Sequence, residues 1–363
     1  MVKKMFNHAY RDRRVLLTGH TGFKGSWLAL WLQQLGAQVT GLSLSPDAEP
    51  NHWNLLNLEI SSKIVDIRND PDLSRALRDA NPEIVFHLAA QPLVRRSYNQ
   101  PMETWSTNVL GTANLLNSCR ALDNLVGIVI VTTDKCYLNR EWPYSYREID
   151  RLGGHDPYSA SKAGAELVVE SFRHSFYNTN GSPQLATVRA GNVIGGGDWS
   201  EDRLIPDVIR SIEQGTAIQV RSPQATRPWQ HVLECLSGYL LLGQQFLEHS
   251  RGFDEAWNFG PGADGNQTVE DVLFALKQQW KSVSWNSAHG MQPHEAKLLQ
   301  LDCSKAQQRL KWAPVLSFDQ AIAMTAQWYR SWFEDHEILT TKQLADYIRL
   351  GSDKGHVWTK SNG

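Results

Sequence analysis

The chain has 363 residues, of which 41% are hydrophobic and 20% charged, and this composition excludes the disordered and collagen-like classes. Its formal net charge of -2 gives no electrostatic reason to expect a nucleic acid or a membrane surface as partner. The four cysteines form no Cys-x-x-Cys pair, so neither a disulfide framework nor a metal site is indicated. No apolar run approaches the ~20 residues of a membrane span, and no signal-type apolar stretch follows the amino terminus. We therefore expect a cytoplasmic protein.

The first third of the chain alternates short apolar runs with longer helical patterns. Runs that are apolar throughout, rather than alternating, suit strands that are covered on both faces. The predicted strands are RVLLTG, AQVTGLSL, KIVDI, EIVFHLAA and VGIVIVTT. With helical crossovers between them, they predict an α/β fold of Rossmann type, which is a doubly wound parallel sheet.

The character of the sequence changes at about residue 190, where Gly-, Pro- and Trp-containing segments begin to separate shorter helical patterns. We predict a first domain over residues 1–190 and a smaller α/β substrate-binding domain over residues 191–363, interleaved with the first. The polar tail beyond about Lys354 is expected to be loosely held.

A glycine-rich turn follows the first predicted strand. The segment VLLTGHTGFKGSW places Gly19, Gly22 and Gly25 between that strand and a helical pattern. Glycines at such a junction permit close approach of backbone N–H groups to a diphosphate, and the helix N-terminus favours its negative charge. The spacing is G-x-x-G-x-x-G rather than the commoner G-x-G-x-x-G, and a purely structural turn is the alternative. The predicted dinucleotide-binding residues of this turn are Gly19, Thr21, Gly22, Phe23, Lys24 and Gly25.

The residues after the second and third strands bear on the choice between NAD and NADP. GLSLSPD, at the end of the second strand, has no acid where one would bind the ribose 2′-hydroxyl, although Ser43, Ser45 or Asp47 could substitute. No arginine stands in that stretch to bind a 2′-phosphate, which favours NAD. Asp66 and Ile67, at the end of the third strand, are candidates for an adenine pocket, with an ordinary strand terminus as the alternative.

Two threonines, an acid and a lysine directly follow the apolar residues of the fifth predicted strand, in VTTDKCY. Standing alone, Thr133, Asp134 and Lys135 would form only a solvated turn with a weak ion pair. Later in the chain, DPYSASKAGAE places Tyr158 and Lys162 four residues apart, where a helix is predicted to begin. On one helical face the ammonium would favour the phenolate and lower the tyrosine pKa from ~10, so that Tyr158 could accept a hydroxyl proton near neutral pH.

These features together resemble the extended short-chain dehydrogenase/reductase family of NAD-dependent epimerases and dehydratases. The glycine turn, HLAAQ (87–91), the threonine after the fifth strand, the Tyr-x-x-x-Lys pair and LDCSKAQQRLKWAP near the carboxyl end follow the family's order over nearly the whole chain. The resemblance implies a nicotinamide cofactor, NAD, on the sheet and a nucleotide-sugar in the second domain. The cofactor-binding residues that it adds are Leu88, Ala89, Ala90, Thr132, Tyr158 and Lys162.

By matching position, the resemblance implies a role for each residue of the two segments. Thr133 would hydrogen-bond the reacting hydroxyl, Tyr158 would be the base, and Lys162 would tune Tyr158 and hold the nicotinamide ribose. Related 4,6-dehydratases carry Thr-Asp-Glu after this strand and use it to eliminate water, whereas Lys135 replaces the glutamate here. Asp134 could protonate the leaving C6 hydroxyl, but Lys135 must be neutral before it can abstract the C5 proton.

Further segments, QPLVRRSY, RAGNVIGGGDW and RPWQHV, resemble the branch of these hydro-lyases that acts on CDP-glucose, although the identity of the base rests on the resemblance alone. Arginine can bind phosphate oxygens through two parallel hydrogen bonds. The residues that match nucleotide-binding positions are Asn192, Arg203, Leu204 and Arg227. The candidate sugar-side contacts are Arg96 and Tyr98, with His231 as a weaker one.

Three alternatives stay open at this point. A nucleotide-sugar 4-epimerase would use Thr133, Tyr158 and Lys162 but would leave Asp134 and Lys135 without chemistry. A 4,6-dehydratase of another nucleotide-sugar would use all five residues. An NAD-sensing regulatory protein would need none of them. The resemblance also implies a homodimer, formed through the helix of Tyr158 and the helix TWSTNVLGTANLLNSCRAL, and deoxysugar supply for a surface polysaccharide such as a lipopolysaccharide O-antigen.

Overall fold

The computed structural model describes residues 2–179, 181–287 and 298–360. The strands of these residues are β1 (Arg14–Thr18), β2 (Gln38–Ser43), β3 (Ser61–Ile64), β4 (Ile84–His87), β5 (Gly127–Val131), β6 (Gln184–Ala190), β7 (Val193–Ile194), β8 (Ile218–Val220), β9 (Thr226–Pro228), β10 (Gln230–His231), β11 (Ala256–Phe259), β12 (Asn266–Thr268) and β13 (Trp285–Ser287). Their α-helices are α1 (Phe23–Leu35), α2 (His52–Leu56), α3 (Asp70–Ala80), α4 (Val94–Asn99), α5 (Pro101–Trp105), α6 (Gly111–Cys119), α7 (Pro157–Phe176), α8 (Leu204–Glu213), α9 (Val232–Leu247), α10 (Val269–Gln279), α11 (Phe318–Asp335) and α12 (Thr340–Asp353).

Seven of the strands form one sheet in the order β11-β6-β5-β4-β1-β2-β3. All six pairings in it are parallel. β1 pairs with β2 on one side and with β4 on the other, so the winding of the chain reverses beside β1. In doubly wound sheets such a switch point opens a cleft at the carboxyl ends of the strands. The predicted α/β fold of Rossmann type is confirmed, and four predicted strands coincide with β1, β2, β4 and β5. The third predicted strand, KIVDI, shares only residues 63 and 64 with β3.

Helices cover both faces of this sheet, as the unbroken apolar runs predict. All five residues of β5 are buried. On one face, Trp27 of α1 and Leu236 of α9 belong to one apolar core. On the other, Leu77 of α3, Leu115 of α6 and Val169 of α7 belong to a second core. The strands are thereby held rigidly, and the loops at their carboxyl ends can carry a site. No helix in the described ranges is both long enough and apolar enough to span a membrane.

The segment after β6 returns to the sheet once and builds smaller structures beside it. β11 pairs in parallel with β6, although it lies well beyond residue 190. The two-stranded pairs β7 with β10, β8 with β13 and β9 with β12 stand outside the main sheet. The predicted division at residues 190 and 191 therefore follows the last residue of β6, and the two interleaved domains stay a prediction.

The carboxyl-terminal segment is more firmly packed than predicted. Trp358 is fully buried, and its ring stacks on Tyr347 with centroids 5.5 Å apart and on Phe6 with centroids 5.7 Å apart. The expectation of a loose tail beyond Lys354 is wrong as far as residue 360, because one aromatic side chain anchors the segment between α12 and the amino-terminal segment. Residues 361–363 lie outside the described residues.

Candidate active site

A cleft of about 1090 Å³ is lined by the segments that follow β1, β2, β4, β5 and β6. It contains nearly all of the side chains that the sequence marked as functional, from the glycine turn to Arg227. The exceptions are Asp134 and His231, which are buried next to residues that line it. Motifs spread over some two hundred residues of sequence therefore meet in one place, as expected for a sheet whose carboxyl ends carry the site.

The glycine turn has the shape that a diphosphate requires. Gly19 has a φ of +74°, and a Cβ there would lie 2.7 Å from the backbone nitrogen of Ala89. A Cβ on Gly25 would clash with the carbonyl oxygen of Gly19. Gly22 is the N-cap of α1 and offers no side-chain acceptor to the first N–H groups of the helix. These groups are available to an anion, so the residues present fit a dinucleotide.

Charged and hydroxyl groups after β2 and β3 already have partners within the protein. The hydroxyls of Thr21 and Ser43 lie 2.7 Å apart. Asp66 accepts from Arg68 through both carboxylate oxygens, from Nε at 3.0 Å and from Nη2 at 2.6 Å, and these hydrogen bonds hold the pKa of Asp66 below its ordinary value. A carboxylate fixed in this way stays charged and can accept a hydrogen bond from an adenine amino group. Ile67 lines the cleft beside it.

The segment after β5 forms a short 3-10 turn, Asp134–Cys136. Thr133 caps this turn: its Oγ1 accepts from the backbone nitrogen of Lys135 at 3.3 Å and donates to Asp134 Oδ1 at 2.9 Å. Asp134 is fully buried, and its Oδ2 has no hydrogen-bond partner among the described residues. Lys135 Nζ lies 3.6 Å from Asp134 Oδ1 and donates to Asn192 Oδ1 at 3.4 Å. The turn is thus one hydrogen-bonded and ion-paired cluster, not a solvated loop.

α7 carries Tyr158 and Lys162 near its start, as predicted. The Thr133 hydroxyl lies beside the Tyr158 phenol and lowers its pKa, and Lys162 Nζ donates to the carbonyl of Val131 at 3.3 Å. Burial raises the pKa of Tyr158 to about 12, against the opposing effect of the Thr133 hydrogen bond. Burial, reinforced by the charge of Lys24, lowers the pKa of Lys162 to about 8. The predicted lowering of the tyrosine pKa is therefore wrong, because desolvation by burial outweighs the lowering effects of Thr133 and Arg203.

A buried ion pair that the sequence reasoning missed lies beneath these groups. Glu166 and Arg189 are joined at 2.8 Å with each side chain only 3% exposed. Thr132 Oγ1 donates to Glu166 at 2.5 Å, and Arg189 donates to the hydroxyl of Tyr137 at 2.8 Å. The pair ties α7 to the end of β5 and to the residue after the 3-10 turn. The available signal was a glutamate one helical turn after Lys162, on the same face.

The candidate substrate residues come from three separate segments. Arg203 directly precedes α8 and donates to Asp198 Oδ2 at 3.0 Å, which fixes its guanidinium at the cleft. Arg227 lies in β9 and donates to the carbonyl of Thr226 at 2.9 Å. Tyr98 in α4 lines the cleft with nearly half of its surface exposed. The candidates that line the cleft are Arg96, Tyr98, Asn192, Arg203, Leu204 and Arg227.

His231 requires a correction, because it does not line the cleft. Its ring is fully buried, and Nδ1 accepts from the backbone nitrogen of Leu233 at 3.3 Å, which caps α9. Trp27 packs edge-on against the ring with centroids 5.8 Å apart, and burial lowers the pKa of His231 to about 3. His231 is therefore a neutral capping residue in the core rather than a substrate contact.

Four cationic side chains line the part of the cleft that holds the candidate catalytic residues. They are Lys24, Lys135, Lys162 and Arg203. Burial, together with the charges of Arg203 and Lys135, lowers the pKa of Lys24. This arrangement suits anionic ligands such as diphosphates. Within the described ranges, no group of His, Cys, Asp and Glu could hold a metal ion.

Comparison with known proteins gives three concordant findings. A family profile described as GDP-mannose 4,6 dehydratase matches residues 16–325. A CDP-glucose 4,6-dehydratase of Salmonella typhimurium strain LT2 is 46% identical over 357 residues, covering 96% of this chain and 99% of that protein. The solved structure of a dTDP-glucose 4,6-dehydratase of Streptomyces venezuelae with NAD bound is 26% identical, with a TM-score of 0.74 over 87% of this chain and 97% of its own.

Proposed function

We propose, from the premise that the chain belongs to the GDP-mannose 4,6-dehydratase family of extended short-chain dehydrogenase/reductases, that it converts CDP-glucose to CDP-4-dehydro-6-deoxy-glucose and water. The observation that carries this proposal is the Thr133, Asp134 and Lys135 cluster beside Tyr158. A tyrosine base suffices for 4-epimerisation, whereas elimination of water needs a second acid and base. The 46% identity to the Salmonella CDP-glucose enzyme supports the choice of nucleotide.

NAD, when bound, accepts the hydride from C4 of the sugar and later supplies it to C6. The glycine turn and the N-terminus of α1 would hold its diphosphate, Asp66 its adenine, and Lys162 its nicotinamide ribose. The stretch after β2 carries no arginine for a 2′-phosphate, which supports NAD rather than NADP. Ser43, which lies within hydrogen-bond distance of Thr21, would face the adenosine ribose.

In the first step, Tyr158 removes the proton of the 4-hydroxyl. Because burial raises its pKa to about 12, the phenolate needs stabilisation from its neighbours. The neighbouring Thr133 lowers the pKa of Tyr158, and Lys162, whose pKa is about 8, is still mostly protonated at neutral pH and supplies positive charge. The hydroxyl of Thr133 also orients the reacting sugar hydroxyl.

In the second step, the 4-keto group makes the C5 hydrogen acidic, and Lys135 removes it as a neutral amine. Asp134, just beneath the cleft surface, is the source of the proton for the leaving C6 hydroxyl. Asn192, which accepts from Lys135 Nζ at 3.4 Å, directs the amine. Exclusion of water from the filled cleft strengthens these interactions.

The nucleotide part of the substrate would be held by charge. Arg203 and Arg227 would bind the diphosphate oxygens, since both guanidinium groups line the cleft and are held by contacts to the protein. Arg96 and Tyr98 would contact the sugar, and Leu204 would pack against the nucleotide.

We further propose a homodimer in the cytoplasm. Long apolar side chains on α5, on the helical turn that follows it and on α7 are strongly exposed: Met102 by 77%, Leu110 by 61% and Leu167 by 57%. Such a face on adjacent helices suits an interface with a second copy. All four cysteines are free and buried, as a reducing compartment permits.

The test is incubation of the purified protein with CDP-, dTDP-, UDP- and GDP-glucose side by side, with the products identified by NMR. The expected result is a 4-keto-6-deoxy sugar formed fastest from the CDP-sugar. A clean 4-epimer without dehydration would contradict the proposal. Tight NAD binding without turnover of any nucleotide-sugar would favour the regulatory alternative instead.

A further inference from the structure

The proton balance of a 4,6-dehydration poses a problem that a 4-epimerisation does not. Oxidation sends the C4 hydride to NAD⁺ and the 4-hydroxyl proton to Tyr158. An epimerase returns that proton when it reduces the ketone again. In the dehydratase the ketone persists in the product, so Tyr158 ends the turnover with a proton that no substrate oxygen takes back.

At the end of the same turnover, Asp134 and Lys135 together hold one proton fewer than at its start. Asp134 gives a proton to the departing hydroxyl, which leaves as water. Lys135 removes the C5 proton while the C5–C6 double bond forms, and it returns this proton to C5 when the hydride adds to C6. The overall reaction releases no proton. One proton must therefore pass from Tyr158 to the pair of Asp134 and Lys135 before the next turnover.

The structure contains a short route for this proton. The hydroxyl of Thr133 lies beside the phenol of Tyr158, close enough to lower its pKa, and Thr133 Oγ1 donates to Asp134 Oδ1 at 2.9 Å. Lys135 Nζ lies 3.6 Å from the same carboxylate oxygen. A threonine hydroxyl can accept one hydrogen bond while it donates another, so it can take a proton from one side and release one to the other.

Direct exchange with solvent is hindered for three of the four groups. Tyr158, Thr133 and Asp134 are 8%, 6% and 0% exposed. The Lys135 side chain is 32% exposed, but it faces the cleft, which substrate and cofactor fill during turnover.

We propose, resting on the function proposed above, that Thr133 is a proton relay. After each turnover it passes one proton from Tyr158 to the pair of Asp134 and Lys135. The O–H bond of Tyr158 breaks as a new one forms on Thr133, and the original Thr133 O–H breaks as one forms on Asp134; no electrons are transferred. The recharged pair holds one proton. It exists as carboxylate and ammonium at rest and as carboxylic acid and amine during elimination, and a single transfer within the pair interconverts these forms. Lys135 thereby becomes a base without losing its proton to solvent.

The test compares the first turnover with later ones in Thr133→Val, using rapid quench with enzyme in excess and then with substrate in excess. Loss of the hydroxyl slows oxidation in both experiments. The relay predicts that the steady-state rate falls by a further factor of about ten or more, which gives a burst of one product per active site. Thr133→Ser keeps a hydroxyl and should restore the wild-type ratio of the two rates.

Thr132→Val is the matched control, because this neighbouring hydroxyl donates to Glu166 and lies outside the route. It should lower both rates by the same factor. Thr133→Ala serves as a second variant, and bound NAD per subunit and the melting temperature show that each variant is folded. Deuterium entry at C5 in heavy water during the first turnover should match the wild type.

Equal losses of the first-turnover and steady-state rates in both Thr133→Val and Thr133→Ala would overturn the relay. If the wild-type protein itself forms no 4-keto-6-deoxy product from CDP-glucose, the proposed function fails and the relay fails with it. If the wild type is active and the variants show no burst, the relay alone is wrong.

Discussion

Tyr158 and Lys162 stand near the start of a 20-residue helix, whereas Asp134 and Lys135 stand on a three-residue 3-10 turn. The helical pair consists of one neutral and one cationic group, both with a pKa moved by burial. The turn carries a buried anion that an adjacent cation neutralises. The two regions meet at Thr133, which donates a hydrogen bond to Asp134 and lowers the pKa of Tyr158.

In the proposed mechanism, this difference indicates how a dehydratase is built from an oxidising site. The helix would supply what any 4-oxidation needs, and its position is fixed by its packing and by the Glu166 and Arg189 ion pair. The turn would add the elimination, so the type of reaction would depend on two consecutive side chains. Substitutions on the helix should stop the chemistry at its first step, and substitutions on the turn should stop it at the second.

The largest effect is expected for Tyr158→Phe. Removal of the base should lower oxidation at C4, and therefore every later step, by about 10³-fold, since general base catalysis is typically worth 10²–10⁴-fold. The measurement is a single-turnover assay of product formation and of C5 deuterium exchange, and both should fall together. Bound NAD and the melting temperature should change little. Continued C5 exchange in this variant would show that Tyr158 is not required for the first step.

A smaller and more selective effect is expected for Lys135→Ala. Product formation should fall by about 10²-fold, while NAD binding and oxidation at C4 persist. Entry of solvent deuterium at C5 should cease, because the group that abstracts this hydrogen is gone. NMR of the recovered sugar measures this exchange.

Lys135→Glu is the matched variant for this prediction, since it recreates the Thr-Asp-Glu set of related 4,6-dehydratases. It should regain part of the C5 exchange that Lys135→Ala loses. Undiminished C5 exchange in Lys135→Ala would remove the lysine from the base role and leave the turn without its expected function.

The sequence was sufficient for the sheet and for most of the site, because both depend on local patterns. Apolar runs identified β1, β2, β4 and β5, and the carboxyl ends of parallel strands meet at one edge. The exposed edge strand β3 was placed only in part, because its residues SSKI form no apolar run. β11 escaped prediction because AWNF is short and gains its partner, β6, only through the tertiary fold.

The burial of individual side chains could not be predicted from the sequence. His231 lies in the core and Asp134 lies just beneath the cleft surface, although other residues of their motifs line the cleft. Burial also reversed the expected direction of the Tyr158 pKa. Glu166 and Arg189 were missed because their pairing joins a helix to a strand that lies apart from it in sequence.

The smallest expected effect concerns stability and has opposite signs in the two regions. Burial lowers the pKa of Lys162 from 10.5 to about 8, so between these values the unfolded chain binds more protons than the folded one and stability rises with pH. Below pH 8 the full cost of burying the ammonium is present, of the order of 3 kcal/mol at ~1.4 kcal/mol per pKa unit. Lys162→Met should therefore raise the melting temperature of the NAD-free protein at neutral pH by a few degrees, and the gain should shrink as the pH approaches 10.5. Lys281→Met, at an exposed site, should leave the melting temperature unchanged.

Lys135→Met should instead lower the melting temperature, because it leaves the fully buried Asp134 carboxylate without its ion-pair partner. Thermal unfolding across this pH range measures the melting temperatures of all three variants. A loss of stability in Lys162→Met at neutral pH would contradict the comparison, because it would show that the buried charge of Lys162 on the helix does not destabilise the fold, whereas the buried charge of Asp134 on the turn is neutralised by Lys135.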